Sequence, residues 1–416
     1  MRVIKKACLV MAAMTLLLSL GNLTAFAAKP PLSLKAAFVR GGDLWIKTGG
    51  VEQRLTKGQY IRSPKWSIDG KWIAYTRGQE GREVWLWHVP TGQNHLVTSA
   101  GDGSYQWAPN QDIVAFVAEQ KLNWIHPDKP DKPVEVAPGI GNYSWLPNGS
   151  GFIASTAAEL LPSGWTQVRI LEIPLTDKAD PKSIKTLYVL PKQSNGFFAV
   201  GTSIFKFSAT GRWIAFLATP TASLSADSNT LCVLSSDGAV FNKVDEMANN
   251  DQWFNWAEQD NTLAYIGGVG REATSNKQLK VIEVPDGKPV SYTPSGFVDQ
   301  SFTWQGAKSI VVSRAKELQA SSGTAAKPFP FLVEVKPDKE RSKRVTQPSN
   351  AQGDFNPQFL SKPQRLTWVR SNRTTASVMV AEKEGKQPSV WITNIDLGAN
   401  FNEQWRWSDV LSFYSR

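Results

Sequence analysis

Short runs that are apolar at every position recur along this chain, each set behind a polar turn. In residues 63–77, "SPKWSIDGKWIAYTR", Trp66 is followed by a turn through Asp69 and Gly70 and then by Trp72-Ile73-Ala74-Tyr75. A strand with one wet face alternates apolar and polar residues, so a run that is bulky throughout predicts a short strand covered on both sides. The stretch repeats. "SYQWAPNQDIVAFVA" holds Trp107, "NYSWLPNGSGFIAST" Trp145, "IFKFSATGRWIAFLA" Phe207 and "WFNWAEQDNTLAYIG" Trp256. "SFTWQGAKSIVVSR" holds Trp304 and "NPQFLSKPQRLTWVR" Phe359, and a weaker copy around Trp405, "EQWRWSDVLSFYSR", ends the chain.

Successive aromatics lie between 38 residues (Trp107 to Trp145) and 62 residues (Trp145 to Phe207) apart. Further strand-like pieces fill the gaps, among them "EVWLWHVPTG", "TLCVLSSDG" and "LKVIEVPDG". One unit therefore reads as four strands, and four strands at this period predict an all-β chain folded as a single β-propeller. Blades stacked face to face around an axis cover both sides of the apolar strand, and the aromatic fills the wedge between neighbours. Residues 36–56 supply three strands without an aromatic first strand, whereas the C-terminus supplies an aromatic strand around Trp405 with little after it. The two ends are expected to complete one split blade, which makes eight blades; seven result if the terminal pieces fold onto the last full blade. Closure removes the exposed sheet edge that would invite aggregation.

At residues 63–77 the pattern resembles the repeat of TolB-type β-propellers, in which an aromatic-Ser-x-Asp-Gly-Lys turn precedes an Ile-Ala-aromatic strand. Ser67, Asp69, Gly70, Lys71, Ile73, Ala74 and Tyr75 match it, and "FSATGRWIAF" matches with Thr210 in place of the Asp. The resemblance implies the fold more than the function, and the partner-binding role of the family is not carried over. The same repeat precedes the catalytic domain of prolyl oligopeptidase-like enzymes, but the chain carries no Gly-x-Ser-x-Gly elbow.

Composition adds two points. Seventeen Trp in 416 residues call for repeated slots that take large aromatics. The N-terminus has a basic start (Arg2, Lys5, Lys6), an apolar run and small residues at Ala25 and Ala27, the three-part pattern of a secretory signal peptide over residues 1–27. An uncleaved anchor is the alternative. A short linker over 28–35 then leads into the propeller over 36–416. Cleavage would lower the formal charge from +10 to +7 and leave Cys232 as the one cysteine, a small hydrophobe in an apolar strand. These features predict an extracytoplasmic monomer, in the periplasm or cell-wall space, with no membrane span after cleavage and no nucleic-acid partner.

The three histidines, His88, His95 and His126, lack metal-ligand spacing, and no cofactor motif stands out. Asp299, Glu317 and Asp354 sit in or beside loops but read as ordinary acids. Long loops follow the second strand in several units, at 157–167, 218–229, 267–278 and 315–330, and such loops share one face of the disc with the blade-to-blade links. Arg40, Arg77, Arg314 and Arg370 end the second strand in units adjacent on a closed ring, and they predict a basic sector suited to carboxylate or phosphate; Trp165, in the first long loop, is a further candidate contact. Four solvated arginines are the plain alternative. The expected function is non-catalytic binding of a protein or an anionic envelope polymer; the alternative is a hydrolase or lyase acting on glycans or peptides from the central channel.

Overall fold

A computed structural model describes residues 34–176, 180–193, 196–318, 327–339 and 341–415; the expected signal peptide and nearly all of the linker fall outside them. Eight four-stranded antiparallel blades follow one another along the chain as a β-propeller. Blade 1 is the split one. Its inner strand, Leu411–Tyr414, pairs with Lys35–Arg40, which continues into Asp43–Thr48 and Val51–Arg54. Blade 2 runs Ile61–Trp66, Trp72–Arg77, Glu83–His88 and Asn94–Thr98. Blades 3 and 4 begin with Gly101–Trp107 and Ile140–Trp145. In blade 5 the inner strand is broken into Gly201–Thr202 and Lys206–Phe207. Blades 6 to 8 begin with Phe254–Trp256, Phe297–Trp304 and Gly353–Leu360.

Second strands are apolar because they are buried on both faces. Every position from Trp72 to Thr76 is buried, as are Val114 to Val117 and Trp213 to Ala218. The turn that precedes such a strand is built by side chains. Ser67 Oγ accepts from Trp72 N and donates to Asp69 Oδ1, which also accepts from Lys71 N. Gly70 is needed twice over: its φ is +68°, and a Cβ there would lie 2.8 Å from the Tyr414 ring. Blade 5 repeats the turn with Ser208 and Thr210 around Gly211.

Where the aromatic of the inner strand is a tryptophan, it locks its blade to the one before. Trp107 Nε1 donates to Lys65 O (3.0 Å), Trp145 to Gln106 O (3.1 Å), Trp256 to Lys206 O (2.7 Å) and Trp304 to Asn255 O (3.0 Å). Each acceptor belongs to the residue just before the preceding aromatic. That residue is polar in all eight blades, and in several its side chain reaches forward: Lys65 Nζ to Tyr105 O, Gln106 Nε2 to Tyr143 O, and Lys206 Nζ to Phe254 O. Indoles pointing back and polar side chains pointing forward thus bind the inner ring in both directions.

The same rule identifies the closing strand. Trp66 Nε1 donates to Ser412 O (3.2 Å), so Phe413 occupies the aromatic place of blade 1. The split blade forms as expected, but not with the expected residues. The segment around Trp405 is no blade strand. It forms a separate hairpin, Ala399–Phe401 with Gln404–Arg406, and Trp405 stacks on Trp407 of the turn that follows.

Candidate functional site

In an up-and-down blade the loops between second and third strands share a face with the links between blades, and the C-terminal hairpin lies on that face. Its contacts run from the link between blades 5 and 6 to blade 8. Ala273 N, in the long loop of blade 6, donates to Asn402 O, and Gln404 Nε2 donates to Arg271 O. Asn250, in the link between blades 5 and 6, donates to Gln404 Oε1. Arg373, in the corresponding loop of blade 8, pairs with Glu403 at 2.9 Å, and Lys327 of blade 7 reaches the same carboxylate at 3.9 Å. Trp407 and Trp405 pack on Phe355. The hairpin therefore rests on the loop face of blades 6, 7 and 8 and on the link between blades 5 and 6. Its turn is strained, since Asn402 (φ +54°) and Glu403 (φ +64°) both adopt the left-handed conformation. Asn tolerates this; Glu does so at a cost of about 1–2 kcal/mol, which the buried pair with Arg373 offsets.

Arg40 and Arg77 end their strands, Arg370 lies one residue and Arg314 two residues before the end of theirs, and their surroundings differ. Arg314 is 3 % exposed and holds Asp299 with two bonds, 2.7 and 2.8 Å, across a register pair. Arg370 holds fully buried Asp354 in the same way, at 2.7 and 3.0 Å. Thr293 and Trp368 supply further donors to these carboxylates. Arg40 pairs with Glu52 at 2.7 Å, donates to Thr393 O of blade 8 and stacks over Phe38 and Trp45. Arg77 lies 3.5 Å from Glu83 and over Trp85. A free four-arginine patch is thereby corrected: Arg314 and Arg370 tie inner to second strands, and Arg40 and Arg77 keep part of their surface in water. Asp299 and Asp354, which read as ordinary acids, are the buried halves of these pairs. Glu317 accepts from Asn276 N. The Asp five residues before the inner aromatic, facing an Arg at the end of the second strand, was the signal available.

Trp165 lies in a small hairpin, Leu160–Leu161 with Gly164–Trp165, that rises from the long loop of blade 4. Leu160 is 66 % exposed and Trp165 40 %. The matching loop of blade 5 carries a single turn, Ala222–Ser225, with Leu224 56 % exposed, and in blade 6 Val269 is exposed too. On the C-terminal hairpin Phe401 is 58 % exposed. The loop face thus carries an apolar lip over consecutive blades. Beneath it, burial holds the Lys277 ammonium down to about 8 against the opposing pull of Glu272 and Glu317; its Nζ donates to Val269 O and Ser275 O. Nearer the axis, burial lowers Lys65 and Lys206 and raises Asp409. Among the described residues no group of three or more His, Cys, Asp or Glu side chains is placed to hold a metal ion, and no helix is long and apolar enough to cross a membrane.

No protein-family description matches the sequence, and no curated protein matches it. Solved structures do. A puromycin hydrolase mutant complexed with PGG is 12 % identical with a TM-score of 0.52, over 82 % of this chain and 54 % of that one. A puromycin-hydrolyzing peptidase of Mycobacterium tuberculosis is 16 % identical with a TM-score of 0.51, over 80 % and 53 %. The chain thus spans about half the length of these proteins. TolB from Acinetobacter baumannii is 12 % identical over 87 % of this chain and 65 % of that one, with a TM-score of 0.36. At these identities the likeness establishes the propeller and nothing narrower, so the TolB-type reading remains a resemblance between repeats.

Proposed function

We propose that this protein is an extracytoplasmic binding scaffold whose loop face receives a protein partner. The observation that carries the reading is the run of exposed apolar side chains on that face: Leu160, Leu161, Trp165, Leu224, Val269 and Phe401. Large apolar groups gathered on loops over a rigid ring mark contact surfaces rather than core. Aromatic side chains such as Trp165 are enriched among residues that dominate binding energy.

Affinity capture from an envelope extract tests this, with wild-type protein beside a Leu160→Asp/Trp165→Ala variant. A protein retained by the wild type and lost with the variant supports the platform; identical recoveries overturn it. An anionic polymer at the arginine sector is a second reading, favoured by the part-exposed side chains of Arg40 and Arg77. Unchanged polymer binding after Arg40→Ala/Arg77→Ala removes it. A hydrolase or lyase is the third reading, favoured by the named activity of the puromycin hydrolases. Turnover of a glycan or peptide by the purified chain would establish it.

A further inference from the structure

The outer strands of the eight blades differ in charge. Seven of them, such as Val51–Arg54, Val134–Ala137 and Phe241–Met247, carry a net charge of one unit or none. The outer strand of blade 7, Arg341–Arg344, reads Arg-Ser-Lys-Arg and is exposed throughout. It is an edge strand, paired only with Phe331–Lys336. Register sets Lys343 opposite Glu334 and Arg341 opposite Lys336. Residues two apart along a strand share a face, so Lys336, Arg341 and Lys343 project from the same side of the blade. Lys339, in the turn between the strands, joins them. These four cations, with Glu334 and Ser342, line a hollow of about 500 Å³.

Among the described residues that line the hollow the one carboxylate is Glu334, and it does not neutralise the set. Glu334 Oε1 accepts from Ser309 Oγ at 2.8 Å and faces Lys336 Nζ at 3.3 Å. No carboxylate lies within ion-pair reach of Lys339, Arg341 or Lys343 among the described residues. The side chain of Arg344 turns away, over the Phe331 ring at 4.0 Å, and donates to Thr346 O. Charges on an edge strand discourage strand-to-strand aggregation, and the other blades manage with a net charge of one unit or none. Holding like charges together on one face costs repulsion that an anion relieves.

We propose that the outer edge of blade 7 binds a linear polyanion, seated in the hollow lined by Lys336, Lys339, Arg341 and Lys343. A flexible chain of repeated phosphates or carboxylates suits this surface, since three lysines make point contacts without fixed geometry and Arg341 adds a planar fork. The site lies on the rim of the disc and does not depend on the loop-face reading. Binding there falls steeply with salt, as counterions released by the polymer drive it.

Fluorescence-labelled polyphosphate and poly-glutamate, titrated separately at low and high salt, provide the test. Wild-type protein is expected to bind one or both, and the tighter polymer distinguishes phosphate from carboxylate. Arg341→Glu/Lys343→Glu is expected to weaken binding by about tenfold or more at low salt and to flatten the salt dependence. Lys182→Glu/Lys185→Glu makes the same change of net charge beside the outer strand of blade 4 and is expected to leave affinity within about twofold. Arg341→Gln/Lys343→Gln repeats the test without reversing charge, and thermal melting checks that each variant is folded. Equal losses in the blade 7 and blade 4 variants, or no binding of either polymer by the wild type, overturn the proposal.

Discussion

Arg314 and Arg77 stand at the same place in the repeat, near the end of the second strand, and do different work. Arg314 lies against a carboxylate with no exposed surface, held by two short bonds across the register. Arg77 meets a half-exposed Glu83 at 3.5 Å and rests on the Trp85 ring. The residue type is constant; the partner's burial is not. A buried carboxylate left alone keeps a charge that water no longer solvates, so its arginine is structural. An exposed pair is screened and contributes little. In this ring, then, position in the repeat does not assign a role, and the partner across the strand does.

The contrast can be broken most severely at the buried pair. Arg314→Ala is expected to lower unfolding stability by about 3–5 kcal/mol, read from urea titrations. Arg314→Met with Asp299→Leu is expected to recover most of it, because neither partner is then left charged. Next in size is the inner ring. Trp107→Phe removes the indole donor to Lys65 O and is expected to cost about 1–3 kcal/mol, with the loss appearing in the same titration. Lys277 gives a smaller effect with a defined sign. Its folded value, about 8, lies below its unfolded value. Between the two the unfolded chain holds more protons, so this group makes stability rise as pH increases through that window. Lys277→Met is expected to remove that rise from melts taken between about pH 8 and 10. Arg77→Ala comes last, with a change below about 1 kcal/mol.

Much of the fold was legible because a ring imposes one environment many times. The aromatic, the polar turn and the apolar strand recur wherever a blade must be wedged against its neighbours, so the eight units and the split blade could be read from residues such as Trp66, Trp107 and Trp304. The closing strand was misplaced for a physical reason. Trp405 and Trp407 are the bulkiest residues near the C-terminus, but they pack on Phe355 from the hairpin and the turn that follows it, without the indole bond that a blade position makes. The shorter Phe413 takes the ring position instead, marked by the polar residue before it. The candidate site was harder to read. Arg314 looks like Arg77 until Asp299, fifteen residues upstream, is known to face it across a strand pair. The loops that carry Leu160, Leu224 and Val269 were visible as long insertions. Their apolar tips could have been core or surface, and only the packing of the ring beneath them decides.

Double-mutant cycles on the two arginine pairs, Arg314 with Asp299 and Arg77 with Glu83, measured by equilibrium unfolding, test the central claim most directly. A coupling of about 2 kcal/mol or more for the first pair and below about 0.5 kcal/mol for the second is the predicted result. Comparable couplings for both pairs would contradict it, and would return the four arginines to a single shared role.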